Sequence, residues 1–133
     1  MGFKISECIL KGAQARPQVE GALFKKALST DSNCGSCALG ALWEGYIISK
    51  ERSEDWNIPL SNDEQEATYA KIRSTFPLLS KYTSDIDYEF MKDIEHPSVD
   101  LLDTIIRLND TYHWTREEIA SWMASIERHY ETV

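Results

Sequence analysis

The sequence predicts a mainly α-helical, compact single domain of about five helices that ends in a helical hairpin. Three observations predict it: amphipathic spacing in the C-terminal third, a capping motif before the last helix, and a nearly all-apolar segment around residue 42. A chain of 133 residues is long enough to form one core, so we predict one domain over residues 1–133. We also allow for a minor two-stranded β element.

The last two helices are the clearest elements. The first is introduced by Pro97 and Ser98, ends at residues 108–110, and has four aliphatic residues at helical spacing: Leu101, Leu102, Ile105 and Ile106. Thr115 and Glu118 then form a capping box, and the helix after it repeats apolar residues at Ile119, Trp122, Met123, Ile126 and Tyr130. The short connector between the two helices favours an antiparallel hairpin.

A third helix is expected from Ser61, which forms a capping box with Glu64. Its apolar positions are Ala67, Tyr69, Ile72 and Phe76, and Pro77 bounds it. Near the N-terminus, residues 5–15 predict a short helix that Pro17 ends, with Ile5, Cys8 and Ile9 on one side. Residues 18–26 and the alternating residues 86–90 are the candidate strands.

The central segment is apolar on nearly all sides and predicts a buried helix from about residue 34 to residue 49. One stripe of this helix consists mostly of small side chains, which would allow another helix to approach closely: Cys34, Cys37, Ala38, Ala41, Gly45 and Ile48. The cysteines of this segment are therefore interpreted as core residues, since free cysteine is among the most buried residue types.

Two chemical alternatives remain open for Cys34 and Cys37. Their C-x-x-C spacing at a helix start is that of thiol-redox proteins, although no strand pattern precedes it. A structural metal site would need further ligands from Cys8 or from His96, His113 and His129, none of which forms a second paired motif. We predict no resident metal or cofactor.

Composition excludes several classes of partner. The net charge of −8 opposes binding to a phosphate backbone, so no nucleic-acid partner is expected. The chain has no apolar run that could span a membrane and no secretory signal at its start. Three cysteines without such a signal favour a reducing, cytoplasmic location.

Catalytic patterns are sparse. Asp110 and His113 could bind a metal ion or act as a general base. A turn in which Asn109 and Asp110 adopt left-handed backbone accounts equally for the presence of these residue types. The chain contains no nucleophile elbow, Walker loop or H-E-x-x-H motif. We therefore expect a non-enzymatic protein rather than an enzyme.

Three blocks of the chain carry a resemblance: GAQARPQVEGALF at 12–24, SCALGALWEGY at 36–46 and IIRLNDTYHWTREEIASWMASIE at 105–127. With these blocks the chain resembles a family of short bacterial and phage proteins of unknown function. The resemblance implies a shared compact fold and brings no activity, cofactor or substrate. Cys37 lies within the matching central block and Cys34 outside it. If the three blocks lie close together in the fold, five polar residues could bind a ligand or join a structural network: Arg16, Gln18, Asn109, Asp110 and Arg116.

The sequence thus predicts a small cytoplasmic, non-enzymatic protein that binds or regulates a partner protein, with a homodimer as one form of that partnership. The alternatives are a thiol-redox or other enzyme centred on Cys34 and Cys37, and a structural metal-binding protein.

Overall fold

The computed structural model describes residues 3–26, 34–50, 59, 61–81 and 100–131. In these ranges the protein is mainly helical, as predicted. Its elements in chain order are α1 (Ile5–Ala13), β1 (Phe24–Lys26), β2 (Cys34–Ser36), α2 (Ala38–Ser49), α3 (Asn62–Thr75), a 3-10 turn (Pro77–Ser80), α4 (Leu101–Asp110) and α5 (Arg116–Glu131). The single domain over residues 1–133 stays a prediction.

Helices α1 and α2 pack with their backbones in close contact. A Cβ atom added at Gly12 would lie 1.9 Å from the carbonyl oxygen of Ala41, and one at Gly45 would lie 1.8 Å from that of Cys8. Such backbone proximity is possible only where side chains are absent or very small. The predicted close approach along the small-residue stripe of α2 is therefore confirmed, and α1 is the helix that approaches.

The central helix begins later than predicted. Cys34 belongs to β2, which pairs antiparallel with β1 so that Lys26 faces Cys34 and Phe24 faces Ser36. Helix α2 then begins at Ala38, with Cys37 as its N-cap. The prediction of a helix from residue 34 was wrong because the pairing partner lies in a separate segment, which a helical spacing pattern cannot reveal.

The two-stranded element itself was anticipated, with residues 18–26 as one candidate strand. Ser36 adds a second connection, because its amide donates to the Pro17 carbonyl at 2.9 Å and its carbonyl accepts from the Val19 amide at 3.1 Å. The small sheet thus joins the segment after α1 to the start of α2. The candidate strand at residues 86–90 lies outside the described residues.

Local capping signals place the remaining helices. The capping box of Ser61 and Glu64 is confirmed at the start of α3. Asp100 caps α4, since its side chain accepts from the Asp103 amide. The Thr115 and Glu118 box is confirmed at the start of α5, with bonds of 2.9 and 3.0 Å. These bonds depend on neighbours in sequence, so the sequence can predict them.

Most of the predicted apolar positions face the core. In α1 and the hairpin, most predicted apolar positions are buried: Ile5, Cys8, Ile9, Leu101, Leu102, Ile105, Ile119, Met123 and Ile126. The predicted positions Ile106, Trp122 and Tyr130 are half-buried and pack against the core. In α3, however, Ala67 is exposed, whereas Gln65 and Thr68 are buried beside Ile72. The prediction for Ala67 was wrong because the buried face of α3 is partly polar.

Helix α5 lies antiparallel to α1 as well as forming the hairpin with α4. At one end, the Glu127 carboxylate accepts from the amides of Ile5 and Ser6, at 2.7 and 3.0 Å. At the other end, the Arg116 guanidinium donates to the Ala13 carbonyl at 3.2 Å. Across the described ranges, no helix has the length and apolar character needed to span a membrane.

Candidate functional site

Four of the five predicted polar residues meet where the small sheet, α2 and the α4–α5 connection come together. The Gln18 side-chain amide donates to Asn109 Oδ1 and to the Trp114 carbonyl, both at 2.8 Å. Its own oxygen accepts from the backbone amide of Arg116 at 3.2 Å. Gln18 thereby connects the end of α4 to the first residue of α5.

Asn109 is the centre of this arrangement and is 1% exposed. Its Oδ1 accepts from the amide of Ala38 at 3.2 Å as well as from Gln18. Its Nδ2 donates to the Val19 carbonyl at 2.9 Å and to Asp110 Oδ1 at 2.8 Å. One side chain therefore joins α4 to the start of α2 and to the strand-like segment at Val19.

Arg116 is buried beside it, with 5% of its surface exposed. Nη1 donates to the Ser36 hydroxyl at 3.0 Å, and Nη2 donates to the Arg16 carbonyl at 2.6 Å. Burial lowers the pKa of Arg116, because removing the guanidinium from water disfavours its charged form. These oxygen acceptors offset part of that desolvation cost.

Arg16 takes part through a different contact. Its Nε and Nη2 donate to the two carboxylate oxygens of Glu44, at 2.7 and 2.8 Å. Glu44 is 0% exposed, so this two-pronged pair neutralises a carboxylate inside the protein. Sequence reasoning missed Glu44 and Ser36. Glu44 was detectable, since it is the sole charged residue of the apolar segment 38–49.

These bonds make the five predicted residues a structural network. The amide, guanidinium and carboxylate groups are directed at backbone and side-chain partners from α1, β2, α2 and α5. In the described part of the chain, Arg116 Nε is the one buried side-chain nitrogen or oxygen without a hydrogen-bond partner. Chemically, the arrangement fixes the relative positions of helices; it offers no pair of groups poised around a common open position.

Cys8 and Cys37 are in environments that oppose thiolate formation. Burial raises the pKa of the Cys37 thiol to about 11, although its sulfur accepts a hydrogen bond from the Gly40 amide at 3.4 Å. Burial, with the nearby Glu127 carboxylate, also raises the pKa of Cys8 to about 11. A thiol must ionise to act as a nucleophile or metal ligand. Among the described residues, no group of three cysteine, histidine or acidic side chains could hold a metal ion.

Asp110 and His113 form neither the predicted metal or base site nor the predicted turn. Asp110 ends α4 and accepts from Asn109, while His113 Nδ1 lies 2.5 Å from Glu20 Oε2 at the surface. The residue with left-handed backbone is His113, at φ 57°. The prediction that Asn109 and Asp110 adopt that conformation was therefore wrong, since both are helical.

A surface groove between α1 and α5 lies away from this network. It has a volume of about 410 Å³. Its α5 side carries small residues, Ser121 and Ala124, between Glu117 and Arg128. Its α1 side includes Leu10, which is 41% exposed although it is a large apolar residue. Sequence patterns did not identify this groove, because Ser121 and Ala124 are on the less apolar side of α5.

No family model, curated protein or solved structure matches this chain. The resemblance carried by the three sequence blocks stays a prediction, and function is argued from the geometry of the chain itself.

Proposed function

We propose that this is a cytoplasmic, non-enzymatic protein that binds or regulates another protein, and that the groove between α1 and α5 holds one helix of that chain. The observation that carries the proposal is the strip of small side chains formed by exposed Ser121 and half-buried Ala124, flanked by exposed Leu10. Small side chains next to an exposed large apolar residue offer both close approach and apolar area.

The dimensions of the groove suit a helix. Glu117 and Arg128 mark its two ends on α5. The eleven residue steps from Glu117 to Arg128 rise by about 16 Å, so a partner helix of about three turns would fill the groove. A helix in such a groove buries one apolar stripe and leaves its charged sides at the rim, which is a common mode of protein recognition.

The internal network supports a role for the groove as a rigid surface. Arg116 and Glu127, which lie near its two ends on α5, are both anchored to α1 by hydrogen bonds. The two walls of the groove are thus held in a fixed separation before any partner arrives. Preformed surfaces bind more tightly because less conformational freedom is lost.

The family resemblance is retained as part of the proposal. Gln18, Ser36 and Arg116 come from its three separate blocks, and Arg116 donates hydrogen bonds to both Gln18 and Ser36. This contact supports a fold shared by chains that contain all three blocks. It assigns no activity to them.

Site-specific photo-crosslinking tests the proposal. A photoreactive residue placed at Ser121 should give a crosslink in the native host, and the crosslinked peptide should map to one amphipathic helix. The matched control is the same residue at Ser74, which is exposed on α3. The Ala124→Trp substitution should abolish the Ser121 crosslink by filling the groove. Equal crosslinking from both positions, or none from Ser121, would contradict the proposal.

A further inference from the structure

We infer that the groove between α1 and α5 binds α5 of a second copy of this chain, in an antiparallel dimer with two-fold symmetry. The inference rests on the proposed function and specifies its partner. It is carried by the arrangement of charged and small residues along the exposed side of α5.

Four residues of α5 that line the groove lie on one face of the helix. Glu117, Ser121, Ala124 and Arg128 are separated by four, three and four positions, which is the spacing of a single helical stripe. This spacing reads the same in both directions. Two α5 helices placed antiparallel about a point between residues 122 and 123 therefore keep all four positions in register.

That register pairs opposite charges at both ends. Glu117 lies opposite the partner's Arg128, and Arg128 lies opposite the partner's Glu117. Between them, Ser121 faces the partner's Ala124, so the helices can approach closely at the centre. A two-fold interface requires this reciprocity, in which one surface is complementary to itself.

The α1 wall adds one cation and one carboxylate at the Arg128 end of the groove. Since α1 is antiparallel to α5, Lys4 lines the same end of the groove as Arg128. Two carboxylates also lie there. That of Glu127 is held by two backbone amides, and that of Glu7 offsets one of the two cations. The two cations and the two carboxylates balance formally, so the charge complementarity of the proposed pairing comes from Glu117 and Arg128 of α5.

The same residues disfavour the parallel arrangement. Two parallel α5 helices in register would place Glu117 beside the partner's Glu117 and Arg128 beside the partner's Arg128. Like charges at both ends would oppose that pairing. The charge pattern thus selects the antiparallel orientation as well as the identity of the partner.

Charge reversal with rescue tests the inference. Sedimentation equilibrium of the full chain over a micromolar concentration series should show a reversible dimer. Glu117→Arg and Arg128→Glu should each weaken it by about tenfold or more, because each places like charges at both ends of the interface. The double variant Glu117→Arg/Arg128→Glu restores the pairing with the signs exchanged, so its dimerisation should return to near the wild-type strength.

Glu117 and Arg128 are exposed and close to the ends of α5, so we expect the helices to remain folded in each variant. A far-UV circular dichroism spectrum of each variant measures this. A monomeric wild type, or a double variant no stronger than the single ones, would overturn the dimer. If the wild type is monomeric but Ser121 still crosslinks to a helix of another protein, the proposed function stands and only its partner changes. If that crosslink is absent as well, both proposals fail.

Discussion

Asn109 shows how much of this fold depends on a single polar side chain. It accepts hydrogen bonds from Gln18 and the Ala38 amide and donates to the Val19 carbonyl, while being almost fully buried. The sequence singled out this residue only through the family resemblance and placed it in a turn. Its burial could not be predicted, because the partners are 71 to 91 residues away.

We therefore expect Asn109→Leu to destabilise the protein strongly. The leucine has a similar volume but leaves the buried Ala38 amide and Val19 carbonyl without one of their partners, at a cost of about 3 kcal/mol or more in the free energy of unfolding. Urea denaturation measures this change. Asp110→Asn is the matched control, because its Oδ1 can still accept from Asn109. Equal effects from the two variants would contradict the role assigned to Asn109.

The buried thiols give a second residue-scale prediction. Raising the pKa of Cys37 from about 9 to about 11 lowers its thiolate fraction at neutral pH by about a hundredfold, and burial slows access further. In a Cys34→Ser background, Cys8 and Cys37 should therefore react slowly with a disulfide reagent until the protein is denatured. Rapid reaction of either thiol in the native protein would revive the thiol-redox alternative.

The same pKa shifts set a direction for stability against pH. The thiols of Cys8 and Cys37 and the hydroxyl of Tyr69 ionise at higher pH in the folded state than in the unfolded chain. Their contribution to stability is complete below the unfolded pKa values, about 9 for the thiols and about 10 for Tyr69, and is lost as pH rises toward the folded values, about 11 for the thiols and about 12 for Tyr69. Thermal unfolding should show the midpoint falling across this alkaline range, and Cys37→Ala should reduce the slope. A midpoint unchanged from pH 8 to 11 would contradict it.

At the scale of elements, the close packing of α1 against α2 depends on glycines, which have no side chain between the two backbones. Exposed Gly→Ala substitutions inside helices usually stabilise by about 1 kcal/mol. At Gly45 the sign should reverse, because the new Cβ would overlap the Cys8 carbonyl and force the helices apart. We expect Gly45→Ala to lower the free energy of unfolding by about 3 kcal/mol, measured by urea denaturation.

Ala70→Gly, at an exposed position of α3, serves as the reference for helix propensity alone. It should cost about 1 kcal/mol. If Gly45→Ala instead stabilised the protein, the close crossing of α1 and α2 would be wrong.

The start of α1 depends on a residue from the other end of the chain. Lys4 provides no side-chain cap, and Glu127 instead accepts from the first amides of the helix. We expect Glu127→Gln to cost about 1 to 2 kcal/mol, since the amide lacks the negative charge that favours a helix N-terminus and one of its two acceptor oxygens. Hydrogen exchange at Ile5 and Ser6 should accelerate. Glu66→Gln, exposed on α3, is the control and should leave both rates unchanged.

For the molecule as a whole, the sequence predicted what nearby residues determine. The helices with capping boxes at Ser61 and Thr115, and the apolar faces of α1, α4 and α5, follow from spacing within each element. Strand β2, the Glu127 cap and the Arg16–Glu44 pair could not be located, because each joins segments far apart in the chain. The convergence of Gln18, Asn109 and Arg116 was expected only as a condition of the resemblance.

The surface groove could not be predicted from the sequence for the same reason. Its walls come from the two ends of the chain, so no local pattern defines it. When α1 and α5 lie side by side, the stripe of Glu117, Ser121, Ala124 and Arg128 forms the self-complementary surface that we propose. A dimer through this stripe would bury the exposed Leu10 and the small residues of α5 without any change in the internal network.

Disulfide trapping tests the central claim, the antiparallel pairing of α5, most directly. Two variants, Ser121→Cys and Ala124→Cys, are prepared in the Cys34→Ser background, mixed and oxidised gently. The antiparallel register brings position 121 of one copy next to position 124 of the other, so the mixed disulfide should form faster than either homodisulfide. Intact-mass spectrometry distinguishes the three products. Homodisulfides formed at rates equal to the mixed one, or no crosslinked dimer at all, would contradict the pairing.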